Sequence, residues 1–247
     1  KLRQARAGQW SRVFDIDDIP KLYLIKHSLG NVPVTYTPHH ASHAAAGYYT
    51  SPFDNAAVVV LDAIGEFDCA SIWHGQGDNL TKVWSARYPN SLGLFYSAFT
   101  DLIGYKPVAE EYLLQKLSAG GDPEKYYYDV KDYMSGIVHA QKNMHKRIVD
   151  WPYEITEVDK AHIAAAVQEV FEEQVERVMR KAKSLTNSDN LVYMGGCAMN
   201  DKANRYIRPL WKDVWSLKNP GDPSSAIGAV LYHTKIRITT ESQGFRL

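Results

Sequence analysis

The run Ala56-Ala57-Val58-Val59-Val60-Leu61-Asp62 constrains this chain more than any other segment. An unbroken apolar stretch rich in valine fits a strand covered on both faces, because a face left to water would alternate with polar residues. Strands of that kind belong to α/β folds, and this one ends on a carboxylate. Two more strands are expected directly after it. Asp68–His74 alternates, Gly75-Gln76-Gly77-Asp78-Asn79 supplies a hairpin turn, and Leu80–Arg87 follows. A covering helix is equally legible. Ile163, Val167, Val170, Phe171, Val175 and Val178 recur at steps of three and four, making Asp159–Lys183 the clearest helix in the chain.

The remaining pattern predicts a helix at Ile19–Leu29, closed by Gly30-Asn31, and a strand at Val32–Thr37. An Ala-rich helix then runs from the histidines to about Tyr49. Helical sequence dominates from Leu92 to about Leu117 and breaks at Gly120-Gly121-Asp122-Pro123. Residues 124–160 are aromatic, charged and irregular. Asn190–Met194 reads as a short strand entering Gly195-Gly196, Val214–Leu217 as another, and Ser224–His233 as a small-residue helix. A division into residues 1–54 and 55–247 is expected.

Charge and cysteine content exclude several classes of function. Lys+Arg and Asp+Glu stand at 28 each among 247 residues, so no net field points to nucleic acid or an anionic membrane. Lys142, His145, Lys146 and Arg147 cluster, which a solvated helix face also explains. Two cysteines, Cys69 and Cys197, are too few for a disulfide framework and read as reduced, packed thiols of a cytoplasmic protein. No apolar run approaches the ~20 residues of a membrane span.

The chemistry gathers at loop junctions. On a helix, His39 and His43 of His39-His40-Ala41-Ser42-His43 stand one turn apart on one face, a spacing that lets two imidazoles reach one cation. A helix start with packed histidines is the plainer reading of this run taken alone. Asp62 ends one strand, Gly195-Gly196 follows another, and Asp222 lies in the loop after a third. A strand-end Asp also serves as a cap, and a Gly-Gly turn as plain backbone geometry; close amides and a helix start also suit an anion. Together, His39, His43, Asp62 and Asp222 form a mixed imidazole and carboxylate set suited to Fe(II), Mn(II) or Zn(II).

Five ordered motifs carry a resemblance. They are His-His-x-x-His-Ala at His39–Ala44, Leu-Asp-x-x-Gly-Glu at Leu61–Glu66 and Ser-Leu-Gly-x-Phe-Tyr-x-x-x-Thr at Ser91–Thr100. Gly-Gly-x-Ala-x-Asn at Gly195–Asn200 and Asp-x-x-x-Ala-x-Gly-Ala at Asp222–Ala229 complete the series. In this order they resemble the NodU/TobZ-type O-carbamoyltransferases. The resemblance implies an α/β fold of the actin/Hsp70/sugar-kinase (ribonuclease-H-like) type, here with an apparently incomplete N-terminal lobe. Residues 1–54 would be a remnant of that lobe and 55–247 the C-terminal nucleotide-binding lobe.

By that resemblance the metal, Fe(II) or another divalent transition ion, would be held by His39, His43, Asp62 and Asp222. Gly65, Glu66, Gly195, Gly196 and Asn200 would embrace ATP or carbamoyl adenylate, with Mg2+ a candidate accompanying ion. His40 and Asp62 are the candidate catalytic residues, His40 either as the base for the acceptor hydroxyl or as a hydrogen-bonding support for the ligands. Carbamoyl phosphate, ATP and a hydroxyl-bearing acceptor, a small molecule or a modified base, are the implied partners.

Departures from the family pattern are equally specific. Where the family carries Gly-Glu-x-Lys-x-Met-Gly-Leu-Ala-x-Tyr-Gly-x-Pro, this chain keeps Glu111, Gly121 and Pro123 but not the Lys or Met. The resemblance also implies a longer segment ahead of His39 and an adenylate-forming domain behind. Hence a fragment, a compact variant, or a partner chain supplying those parts is expected. Alternatives of other kinds are a threonylcarbamoyl-transferring tRNA-modification protein and a non-catalytic nucleotide-binding scaffold. Tyr88-Pro89-Asn90-Ser91 departs from the Tyr-Pro-Gly-Gly of the former. Tyr126, Tyr127, Tyr128, Trp151 and Tyr153 are either a lid or acceptor wall, or ordinary aromatic packing.

Overall fold

The computed structural model describes Pro33, residues 35–238 and Gly244–Arg246. The helix expected at Ile19–Leu29 lies outside the described residues, as do Val32 and Val34. The rest of the expected strand, Pro33 and residues 35–37, is neither strand nor helix. Pro33 within the segment and Pro38 directly after it explain this, since neither can donate to a ladder. The chain divides after Thr37, and Pro38–Leu247 forms one compact unit. The boundary expected at residue 54 therefore falls inside that unit, between the histidine helix and the first strand.

In chain order the unit contains α1 (His39–Thr50), β1 (Asn55–Gly65), β2 (Asp68–Gln76), β3 (Asn79–Arg87), α2 (Leu92–Leu102) and α3 (Glu111–Leu117). There follow α4 (Tyr127–Lys131), β4 (Met134–Ser135), β5 (His139–Ala140), α5 (Glu157–Thr186), β6 (Asn190–Met194) and α6 (Asp201–Ile207). Last come β7 (Asp213–Leu217), α7 (Ser225–Thr234) and β8 (Gly244–Arg246). The class is α/β. One six-stranded mixed sheet has the order β3-β2-β1-β6-β7-β8. β1, β6 and β7 run parallel, while the β1–β2, β2–β3 and β7–β8 pairs are antiparallel.

Alternation along β1 feeds two cores. Ala57, Val59 and Leu61 enter the cluster under α2 and α5 with Phe95, Phe99, Val167 and Phe171. Ala56, Val58 and Val60 point the other way, to Ala45, Tyr48 and Tyr49 of α1 and Leu231 of α7. This is the two-faced cover that the apolar run requires. Close helix packing on the second face depends on Gly228. A Cβ there would lie 1.8 Å from the Ser42 carbonyl oxygen, so α7 rests directly on the backbone of α1.

The helical stretch expected from Leu92 to Leu117 is two helices. Gly104, at φ +93°, turns the chain out of α2, and Pro107 keeps residues 105–110 out of helix. Residues 124–160 are less irregular than expected, containing α4 and the β4–β5 pair. Tyr126, Tyr127 and Trp151 pack against the larger core, and Phe99 meets Tyr133 and Trp151 edge-on. These aromatics support the core. Lys142 pairs with Asp150 and Arg147 with Asp101, so the basic cluster is partly neutralised. Cys69 and Cys197 are free and buried. Among the described residues, no helix is long and apolar enough to cross a membrane.

α5 begins with a reciprocal cap, in which the Thr156 hydroxyl and the Asp159 carboxylate each meet the other's backbone N–H. The bonds from Thr156 and Tyr126 hold the Asp159 carboxyl down at about 2. A depressed carboxyl stabilises the fold above its ordinary value of 3.8, and this contribution is lost as pH falls towards 2. Thr156→Ala is expected to raise the Asp159 value towards 3.8, measurable by NMR titration of its side-chain carbonyl carbon.

Candidate metal centre and adjoining cleft

Four donor atoms from three separate segments converge at the end of β1. His39 and His43 sit on successive turns of α1, whose first turn closes on the Pro38 carbonyl through Ser42 N–H at 2.9 Å. Asp62 sits where β1 departs from regular pairing with β2, between Leu61 and Gly65, which frees its side chain from the ladder. The Asp62 Oδ1 accepts the Ala63 N–H at 2.8 Å, leaving Oδ2 to the histidines. Asp222 comes from a short 3-10 turn, Asp222–Ser224, ahead of α7.

The distances are close and mutual. His39 Nε2 lies 3.0 Å from His43 Nε2, 3.2 Å from Asp62 Oδ2 and 3.3 Å from Asp222 Oδ1. His43 Nε2 lies 3.3 Å from Asp62 Oδ2 and 3.4 Å from Asp222 Oδ1. All four atoms fall within 4.8 Å of one another. One ring N–H can satisfy only one of three acceptors around it. A cation satisfies all of them at once. Ligands ~2.1 Å from a metal lie ~3.0 Å apart at right angles and ~3.4 Å apart at the tetrahedral angle. The five distances that involve a histidine therefore match the spacing of ligands around a divalent transition metal, and the donor types suit one.

The electrostatics agree. Hydrogen bonding to Asp62 raises the His39 imidazole above its ordinary value despite partial burial. Burial works to raise the Asp62 carboxyl, but bonds from His39 and His43 and the Ala63 amide hold it well below the carboxylate range. His43 is fully buried, whereas the Asp222 side chain is 76% exposed, so the cluster opens to solvent on the Asp222 side.

A cleft of about 360 Å³ adjoins the cluster through Asp62. Gly196 and Asn200 line it, with Tyr96, Tyr112, Phe171 and Met199 as its apolar wall and Ser97 and Glu111 as polar members. Asn200 caps α6 by accepting the Ala203 N–H, and its amide pairs with that of Gln168 in both directions at 3.0 Å. Gln168 also accepts the Tyr96 hydroxyl at 2.8 Å. Gly195 does not line the cleft but presses on Leu61, and its N–H bonds the Pro220 carbonyl. Gly65 and Glu66 sit against α1 instead. A Cβ on Gly65 would lie 2.5 Å from His40 Cδ2 and 2.6 Å from His39 Cδ2, and Glu66 Oε1 accepts the His39 N–H at 3.2 Å. Of the expected nucleotide group, Gly196 and Asn200 line the cleft, and Gly65, Glu66 and Gly195 do not.

Residues 12–231 match the family profile described as Carbamoyltransferase N-terminus. The chain belongs to that family. This carbamoyltransferase N-terminus chain is 36% identical to the uncharacterized protein sll1178 of Synechocystis sp. over 226 residues, 81% of the chain and 36% of that relative. It is 27% identical to the nodulation protein NolO of Bradyrhizobium diazoefficiens, covering 78% of the chain and 37% of NolO. Nodulation protein NolNO of Sinorhizobium fredii is 24% identical, covering 80% of the chain and 31% of that protein. The chain thus spans about a third of the length of these relatives.

His40 is turned away from the four donors. Its Nδ1 meets Ser71 Oγ at 2.8 Å, Ser71 Oγ accepts the Trp73 Nε1–H at 2.9 Å, and burial pushes the imidazole down to about 4. Its Nε2 is buried without a partner. Sequence reasoning missed the supports around the donors. Ser91 caps α2 through the Leu94 N–H and donates to the Ala63 carbonyl at 2.6 Å, tying the α2 start to the Asp62 turn. A Ser directly before an apolar helical run was the available signal. Ser91→Ala is expected to cost about 1 kcal/mol by urea unfolding, the ordinary value of a lost cap.

Proposed function

We propose that this chain carries the metal-holding, nucleotide-facing part of an O-carbamoyltransferase, which moves a carbamoyl group from carbamoyl adenylate to an acceptor hydroxyl. The convergence of His39, His43, Asp62 and Asp222 beside the cleft carries this reading. We assign the sheet to a lobe of the actin/Hsp70/sugar-kinase type. Three antiparallel strands continued by two parallel ones support that assignment.

His39, His43, Asp62 and Asp222 would hold a divalent transition metal such as Fe(II). When bound, that ion supplies positive charge to neutralise phosphate and polarise a carbonyl. The Gly196–Asn200 turn sits next to Asp62 and offers main chain to the adenylate, and the wall of Tyr96, Phe171 and Tyr112 keeps water from the reactive anhydride. In the transfer, the acceptor oxygen bonds to the carbamoyl carbon and the bond from that carbon to the adenylate phosphate oxygen breaks. AMP leaves, and the acceptor proton passes to the released phosphate. We give His40 a supporting role, bracing the first turn of α1 through Ser71, because its ring is buried and one nitrogen is engaged. Carbamoyl phosphate and ATP are the proposed sources of the adenylate, with a further domain or a partner chain proposed to form it, and Mg2+ would accompany ATP.

The test is to incubate the protein with Fe(II), ATP, carbamoyl phosphate and hydroxyl acceptors, and to examine the products by mass spectrometry. Metal-dependent binding of an ATP analogue, with carbamoyl adenylate or a carbamoylated acceptor, is the expected result. A protein that binds neither the metal nor the analogue contradicts the proposal.

A further inference from the structure

Gln168 stands on α5 behind the cleft, buried, with every hydrogen-bonding position of its amide filled. Its Oε1 accepts the Tyr96 hydroxyl at 2.8 Å and the Asn200 Nδ2–H at 3.0 Å. Its Nε2 donates to Asn200 Oδ1 at 3.0 Å and to Glu172 Oε1 at 2.7 Å. An amide has two hydrogens and two lone pairs to give, and all four are used here. Turning the Gln168 amide over would set its oxygen against the oxygens of Asn200 and Glu172, so its orientation is fixed.

That orientation decides what Asn200 can offer. Asn200 Oδ1 accepts from the Ala203 N–H and from Gln168 Nε2, so both of its lone pairs are taken. Its Nδ2 gives one hydrogen to Gln168 and, among the described residues, has no acceptor for the other. Asn200 lines the cleft, so its side chain meets an occupant as a donor and not as an acceptor. The cap bond from Ala203 pins Oδ1 alone and leaves Nδ2 free to swing about it. The paired bonds to Gln168 pin both ends of the amide. A donor held ready in this way needs no ordering when a ligand arrives.

We propose that Gln168 is a positioning residue for nucleotide binding, holding the Asn200 amide so that its remaining Nδ2–H meets an acceptor atom of the nucleotide in the cleft. This inference rests on the nucleotide reading given above. It adds a polarity to that reading: at Asn200 the occupant supplies a hydrogen-bond acceptor. Tyr96 and Glu172 hold Gln168 in turn, so the support reaches from α2 through α5 to the start of α6.

The test is a double-mutant cycle on binding of the ATP analogue AMP-PCP to the Co(II)-loaded protein, using wild type, Gln168→Met, Asn200→Ser and the double variant. Methionine fills the Gln168 space without its hydrogen bonds, and serine keeps the α6 cap without the amide. Each single variant is expected to bind the analogue about 10-fold more weakly. The double variant is also about 10-fold weaker, because Gln168 has nothing left to hold once the Asn200 amide is gone. Co(II) affinity, set by donors that Gln168 does not touch, stays at the wild-type value and reports that each protein is folded. Gln168→Glu is the second variant at this position. A carboxyl carries at most one hydrogen, which the Glu172 carboxylate takes, so this variant is also expected to be about 10-fold weaker. Wild-type affinity for the analogue in any single variant that holds Co(II) overturns the role of Gln168. A double variant about 100-fold weaker does so too, since independent losses add. Loss of Co(II) affinity in both Gln168 variants overturns it as well, because Gln168 then serves the fold and not the nucleotide. Failure of wild type itself to bind the analogue overturns the nucleotide reading, and this inference with it.

Discussion

Replacing His43 with Ala is expected to weaken Fe(II) or Zn(II) binding by about 100-fold or more, beyond the loss typical of an outer-contact variant. The reason is geometric. His43 Nε2 lies within 3.4 Å of the other three donor atoms and belongs to a fully buried ring, so no water can take its place without rearrangement of α1. The proposed carbamoyl transfer should fall with the metal. His39→Ala should behave alike, although His39 is more open, its side chain being 25% exposed. Equilibrium metal affinity, measured by chelator competition, checks both variants. Metal affinity that survives in either one removes that histidine from the site.

The second large effect concerns the fold beside the site. Gly195 holds φ at +92°, and a Cβ there would lie 2.2 Å from the Leu61 carbonyl oxygen and 2.7 Å from its carbon. Gly195→Ala therefore combines a strained backbone with a clash against main chain that cannot rotate away. A loss of about 3 kcal/mol or more of unfolding free energy in urea is expected, from strain and overpacking together. A loss under about 1 kcal/mol would mean that β1 and β6 can part at this point, contrary to the packing described. The glycine so explained is one that the sequence pattern marks for a nucleotide. Its first duty is to let Asp62 and the Gly196–Asn200 turn approach each other.

Legibility in the sequence followed the range of the interactions. The β1 run, the α5 periodicity and the His39/His43 spacing are set by neighbours within a few residues, and each has the expected element type. Local pattern also misled. Apolar residues continue from Leu92 to Leu117 and hide the break at Gly104, and the valines of Val32–Thr37 distract from Pro33 within it and Pro38 directly after it. What no local pattern holds is pairing across the fold. Tyr96 meets Gln168 from 72 positions away, and Ser225 meets His43 from 182. Gly65 and Glu66 were legible as a turn, but their contact with the α1 histidines depends on how α1 lies against the end of β1.

The most direct measurement is X-ray absorption at the metal edge, on protein loaded with one equivalent of Fe(II) or Zn(II). It can tell nitrogen and oxygen from sulfur, which matters because the thiol of Cys197 lines the cleft that Asp62 also lines. The proposed centre gives a shell of nitrogen and oxygen at about 2.1 Å, including two imidazoles, with no sulfur, and Asp62→Ala and His43→Ala abolish it. Sulfur scattering at about 2.3 Å, or a shell unchanged in those variants, would contradict the account.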